Sequence, residues 1–127
     1  MSNQWEGKTV LIAEDEEVNF FLLEETFYGS GVNILWAKTG QQAIDMALEN
    51  NIDLILMDIK MPGINGREAI VEIKSRKPHV PIIAQTAFVM KNEVKAIKES
   101  GCDDYISKPI NLELFRSKVG KYLSAEV

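Results

Sequence analysis

Five short apolar runs alternate with segments of helical period along these 127 residues, and that alternation leaves few architectures open. It is the pattern of a parallel sheet covered by helices on both faces. The runs predict strands over about 8–13, 32–37, 53–57, 81–85 and 104–107, and the intervening periodicity predicts helices over about 17–28, 40–50, 66–76, 91–100 and 111–123. The second run, with Val32, Ile34 and Trp36, alternates more than the others and suits an edge strand. Ala43, Ile44, Ala47 and Leu48 form one apolar helical stripe, and Leu112, Phe115, Val119 and Leu123 form another. Asn65 and Asn111 are placed to cap helix N-termini, and Gly29 and Gly101 stand where a helix end favours a residue free to take positive φ. Every connection is short, so the expectation is one domain over 1–127, its core spanning about 8–124.

Charge and composition narrow the function. Fourteen basic residues against 19 acidic ones give a net charge of −5, which argues against a nucleic-acid surface and favours partner proteins or cations. The single cysteine, Cys102, excludes an internal disulfide and a cysteine-built zinc site, and reads as a small half-buried apolar residue in a reducing setting. His79, between Pro78 and Pro81, reads as surface. No secretory pattern and no apolar stretch of the ~18–20 residues needed to span a bilayer is present. The expected location is cytoplasmic, without membrane contact.

In an open parallel sheet, ligands bind in the crevice outside the carboxyl ends of the strands. Glu14-Asp15 follows the first run, Asp58 the third, Thr86-Ala87 the fourth and Lys108-Pro109 the fifth, so these groups converge. Pro62, Gly63 and Gly66 mark a tight loop after Asp58 whose backbone can approach a ligand closely. Each residue alone has a plain structural reading: a turn cap for Asp58, dipole complementarity for the acidic run 14–17, β-propensity for Thr86, a solvated surface charge for Lys108. Together they place three carboxylates and an ammonium in one crevice, where like charges at ~4 Å repel by a few kcal/mol. Mg2+, held by one or two carboxylates together with phosphate oxygens, relieves that repulsion. Asp58 is then a candidate nucleophile toward a phosphoryl group.

Over nearly its whole length the chain resembles the receiver domain of two-component response regulators. The matching motifs are Glu14-Asp15, the segment Leu56-Met57-Asp58-Ile59-Lys60-Met61-Pro62-Gly63, Gln85-Thr86-Ala87 and Lys108-Pro109. The resemblance implies a flavodoxin-like three-layer α/β sandwich, with five parallel strands in the order 2-1-3-4-5 and five helices. It implies that Asp58 accepts a phosphoryl group from a histidine kinase or a histidine phosphotransfer protein. Mg2+ would be bound by Asp15, Asp58 and the Lys60 main-chain carbonyl, with Glu14 acting through water. Lys108 and Thr86 would bind the transferred group, and Thr86 with Tyr105 would switch the face of the fourth helix, fifth strand and fifth helix, where a homodimer could also form. Ala87 and Pro109 would be structural. Such a domain is a signalling module that assists its own phosphorylation and dephosphorylation, not an enzyme acting on external substrates.

Glu14 is a mild departure, since many receivers carry Asp there. Lys60 and Phe88, two residues beyond Asp58 and Thr86, flank the expected path of hydrolytic water, and their bulk is expected to slow phosphate loss. A haloacid-dehalogenase-like phosphatase would need a second Asp where Lys60 stands, and a flavodoxin-like carrier would place a hydroxyl-rich loop where residues 14–17 are acidic. A receiver-fold interaction module that works without phosphorylation is the remaining alternative. The lead-in Gln4-Trp5-Glu6-Gly7-Lys8 resembles receivers fused to hybrid sensor histidine kinases, so both a stand-alone regulator and a hybrid-kinase receiver are expected contexts.

Overall fold

The computed structural model describes residues 4–87 and 91–124; Phe88 lies outside the described residues. Strands β1 (Thr9–Ala13), β2 (Asn33–Ala37), β3 (Leu54–Asp58), β4 (Ile82–Thr86) and β5 (Asp104–Ser107) alternate with helices α1 (Glu17–Thr26), α2 (Gly40–Glu49), α3 (Gly66–Arg76), α4 (Lys91–Glu99) and α5 (Leu112–Leu123). The strands form one parallel sheet in the order β2-β1-β3-β4-β5. This is the flavodoxin-like arrangement that the resemblance implies.

Strand periodicity divides the core. Leu11, Ala13, Ile55, Met57, Ile82 and Ala84 face α2, α3 and α4, where they meet Ala43, Ile44, Ala47, Ala69, Ile70, Ile73 and Ile97. The alternate residues Val10, Ile12, Leu54, Leu56, Ile83 and Ile106 face α1 and α5 and meet Phe20, Leu23, Phe115, Val119 and Leu123. Central β3 and β4 are buried throughout, whereas β2 is exposed at Asn33 and half-buried from Ile34 to Trp36, as an edge strand should be. The stripe of α5 is shorter than its sequence suggests: Leu112, in the first turn, is 37% exposed.

Local signals fix the helix ends. Asn65 caps α3 in a full capping box with Glu68, and Asn111 accepts from the Leu114 N–H at the start of α5. Gly29 and Gly101 follow α1 and α4 with φ of 77° and 100°. His79 is exposed and Cys102 half-buried. No helix among the described residues is long and apolar enough to cross a membrane.

Candidate functional site

Three strands deliver carboxylates and an ammonium to the C-terminal edge of the sheet. Glu14 and Asp15 follow β1 directly, Asp58 ends β3, and Lys108 follows β5. Each of the three acidic residues offers one oxygen within 4.8 Å of the others, Glu14 and Asp58 from buried positions and Asp15 from the surface. The cleft beside them, about 440 Å³, is lined by Asp15, Glu16, Asp58, Lys60, Met61, Pro62 and Lys108.

Both oxygens of Asp58 are held. Oδ1 accepts the Lys60 N–H at 3.0 Å and Oδ2 accepts the Lys108 ammonium at 2.9 Å, while the residue is only 3% exposed. Lys108 is itself anchored to β4, its N–H donating to the Thr86 carbonyl at 2.8 Å, and the Lys108–Pro109 peptide is cis. The same ammonium stands 3.6 Å from Glu14 Oε1. Burial alone would lower the Lys108 pKa, but its hydrogen bond to Asp58 and the charges of Asp58, Glu14 and Glu16 outweigh burial and raise it.

Glu14 bears the cost of the arrangement. Burial, then the negative charge of Asp58, push its carboxyl up to about 7, with Lys108 pulling in the opposite direction. Oε2 accepts the Glu16 N–H at 3.3 Å, whereas Oε1 is buried without a hydrogen-bond partner among the described residues. An orphaned carboxylate oxygen among two further carboxylates, with the Lys108 ammonium close to two of the three, is a donor set suited to a hard divalent cation. The residues present therefore fit Mg2+.

Thr86 ends β4 at 1% exposure, and Tyr105 lies one strand over. Ala84 pairs with Tyr105 and Thr86 with Ser107, so Thr86 and Tyr105 share the sheet face covered by α4. The Lys98 ammonium sits 5.8 Å from the Tyr105 ring centroid. Ala87 and Pro109 are exposed, and Gln85, paired with Asp58 in register, is fully buried.

Sequence reasoning missed two supports of the site. Gly66 reads as a loop residue kept small for a ligand; in the fold its missing Cβ makes room for the protein, since a Cβ there would lie 2.3 Å from the Asp58 carbonyl oxygen. Trp36 reads as an edge-strand residue, yet its indole N–H donates to the Glu14 carbonyl at 2.8 Å. A glycine opening a helix and a tryptophan one residue before the end of an edge strand are the signals that could have pointed to them.

Comparison with known proteins places this geometry. Residues 10–120 match the response regulator receiver domain family. The polar-differentiation response regulator DivK of Brucella ovis is 40% identical over 118 residues, covering 91% of this chain and 96% of the relative. Among solved structures, the receiver domain of sensor histidine kinase PA1611 from Pseudomonas aeruginosa PAO1, which has a magnesium ion coordinated in its active-site cleft, superposes with a TM-score of 0.85. It is 28% identical, and the match covers 94% of this chain and 99% of that one. A chain from the co-crystal of the Saccharomyces cerevisiae histidine phosphotransfer protein Ypd1 and the receiver domain of Ssk1 gives a TM-score of 0.85 at 29% identity, covering 92% of this chain and 89% of that one.

Proposed function

Because the chain belongs to the response regulator receiver domain family of two-component systems, we propose that Asp58 is its phosphoacceptor. The observation that carries this is the Asp58 carboxylate itself, buried at the cleft floor with one oxygen on the Lys60 N–H and the other on Lys108. A carboxylate oxygen of Asp58 attacks the phosphorus of a phosphohistidine in line with the leaving imidazole. The P–O bond forms as the P–N bond breaks, and the electron pair leaves on the imidazole nitrogen. Such transfer depends on positioning and on stabilising charge at the phosphoryl oxygens, and Lys108 and the Lys60 N–H are already in place to do both. The Thr86 hydroxyl takes a further phosphoryl oxygen. Its rearrangement with Tyr105 shifts the population of the face built by α4, β5 and α5, which also serves any homodimer.

Glu14, Asp15, Asp58 and the Lys60 carbonyl are the residues that would hold Mg2+. When bound, the cation supplies neutralisation of charge on the transferred group. The proposed setting is cytoplasmic, with residues 1–127 acting as one receiver unit that promotes its own phosphorylation and dephosphorylation.

The site predicts a pH dependence. Glu14 holds its proton more tightly in the fold than its ordinary value of 4.5 allows, so this contribution favours the metal-free fold fully below that value and is lost as pH rises through about 7. Mg2+ binding has the opposite sign, since the ligand set must be ionised. Calorimetric titration should show apparent Mg2+ affinity rising about tenfold from pH ~6 to pH ~8. A flat profile would show that Glu14 is not linked to the cation.

The donor is a histidine kinase or histidine phosphotransfer protein, and the surface suited to it is on α1. Val18, Phe21 and Leu22 are 80%, 53% and 40% exposed at helical spacing, just beyond the acidic residues that line the cleft. Phe21→Ala should slow transfer from a phosphorylated histidine phosphotransfer protein by about tenfold or more, as loss of a buried aromatic anchor does. Phosphorylation by acetyl phosphate, which needs no docking, should fall far less, since Phe21 reaches the site only through its edge contacts with Phe20 and Trp36. Equal slowing with both donors would show that Phe21 supports the site itself and that docking lies elsewhere.

A further inference from the structure

Glu14 stands one residue beyond the end of β1, and its main chain is gripped from β2 on both sides. Its N–H donates to the Ala37 carbonyl at 2.9 Å, continuing the ladder. Its carbonyl accepts from the Trp36 indole N–H at 2.8 Å. The indole is held in turn: Phe20 stacks on it with ring centroids 3.9 Å apart and planes within 3°, and the Lys38 ammonium lies 4.5 Å from its centroid. Phe20 belongs to α1, the helix that follows Asp15 and Glu16. One side chain thus joins the edge strand, the first helix and the peptide from which two acidic side chains enter the cleft.

We propose that Trp36 is a positioning residue for the metal site. Its indole N–H, by fixing the Glu14 carbonyl, sets the strand exit from which the Glu14 and Asp15 carboxylates reach the cation. The inference rests on the reading of Glu14 and Asp15 as part of a Mg2+ site. Partners that orient a metal's ligands are worth about 10–100-fold in affinity when removed. A partner acting on the main chain of a ligand belongs at the lower end of that range.

Calorimetric Mg2+ titrations of the wild type, Trp36→Phe and Trp5→Phe test the proposal. Trp36→Phe keeps an aromatic ring for the stack on Phe20 and removes the N–H. Trp5→Phe makes the same chemical change at a remote place, where the indole donates to Ser124 Oγ at 3.0 Å. The expected result is Mg2+ affinity weakened about tenfold in Trp36→Phe and unchanged in Trp5→Phe. Wild-type affinity in a folded Trp36→Phe protein would overturn the proposal and leave the metal reading intact. No Mg2+ binding by the wild type would instead remove the metal reading, and the proposal with it. A second readout needs no variant: with two tryptophans in the chain, the Trp36 indole N–H resonance should shift along the Mg2+ titration while that of Trp5 stays in place. A Trp36 resonance that does not move would also overturn the proposal.

Discussion

Lys108→Ala should reduce phosphorylation by acetyl phosphate at least about a hundredfold while leaving Mg2+ binding intact or stronger. The two effects have different signs because, in the proposed mechanism, the ammonium plays two parts. Toward the phosphoryl group it is a preorganised donor, already 2.9 Å from Asp58 Oδ2, and removing one such donor from a transition-state site costs about 10²–10³ in rate. Toward a cation it is a like charge, 3.6 Å from the Glu14 oxygen that lacks a hydrogen-bond partner, so its removal makes the acidic cluster more attractive to Mg2+. Rates of adduct formation and calorimetric titration on the same variant check both. Parallel loss of phosphorylation and of Mg2+ binding would show that Lys108 organises the carboxylates instead of acting on the transferred group. Stability at neutral pH should fall as well, because Lys108 is only 22% exposed and its loss leaves the buried Asp58 carboxylate without its charged partner, a cost that a proton on Glu14 offsets in part.

Gly66→Ala should destabilise the protein by about 3 kcal/mol, although the residue lies in the first turn of a helix, where propensity alone favours Ala by about 1 kcal/mol. A Cβ there would lie 2.3 Å from the Asp58 carbonyl oxygen and 2.6 Å from Ile59 Cα, both main-chain atoms of the segment leaving β3. That segment cannot yield easily, since the Ile59 N–H donates to Gln85 in the neighbouring strand and the Ile59 carbonyl accepts from Gly66 itself. Either α3 backs away from the sheet or Asp58 shifts. Thermal melts should show a fall in Tm of about 10 °C, with slower phosphorylation as the acceptor is displaced. Gly63→Ala is the matched contrast: its φ of 73° makes a side chain unfavourable, but no atom lies within 4 Å of the added Cβ, so about 1 kcal/mol is expected. Equal costs at the two positions would contradict the close-approach argument.

Much of the fold was legible because the signals that set it are local. Apolar runs of strand length, the two asparagine caps and the glycines at positive φ each act within a few residues, and all lie where the sequence placed them. The meeting of Glu14, Asp15, Asp58 and Lys108 was legible for another reason: a parallel sheet brings all strand exits to one edge, so order along the chain implies proximity. What escaped depends on register and depth. That Trp36 reaches the Glu14 carbonyl follows from the Ile12–Trp36 and Ala13–Ala37 pairing of β1 and β2, which no run of residues announces. The raised carboxyl of Glu14 requires its complete burial, and its position at a strand exit suggests exposure as readily. Leu112 matches the helical stripe of α5 but falls in the first turn, where it remains partly in solvent.

The central claim is that Asp58 takes a phosphoryl group in a Mg2+-dependent reaction, and intact-mass spectrometry after incubation with acetyl phosphate tests it most directly. The account predicts a single phosphoryl adduct on the wild type, absent when a chelator removes Mg2+ and absent in Asp58→Asn. An adduct that persists in Asp58→Asn, or no adduct on folded wild-type protein with Mg2+ present, would contradict it.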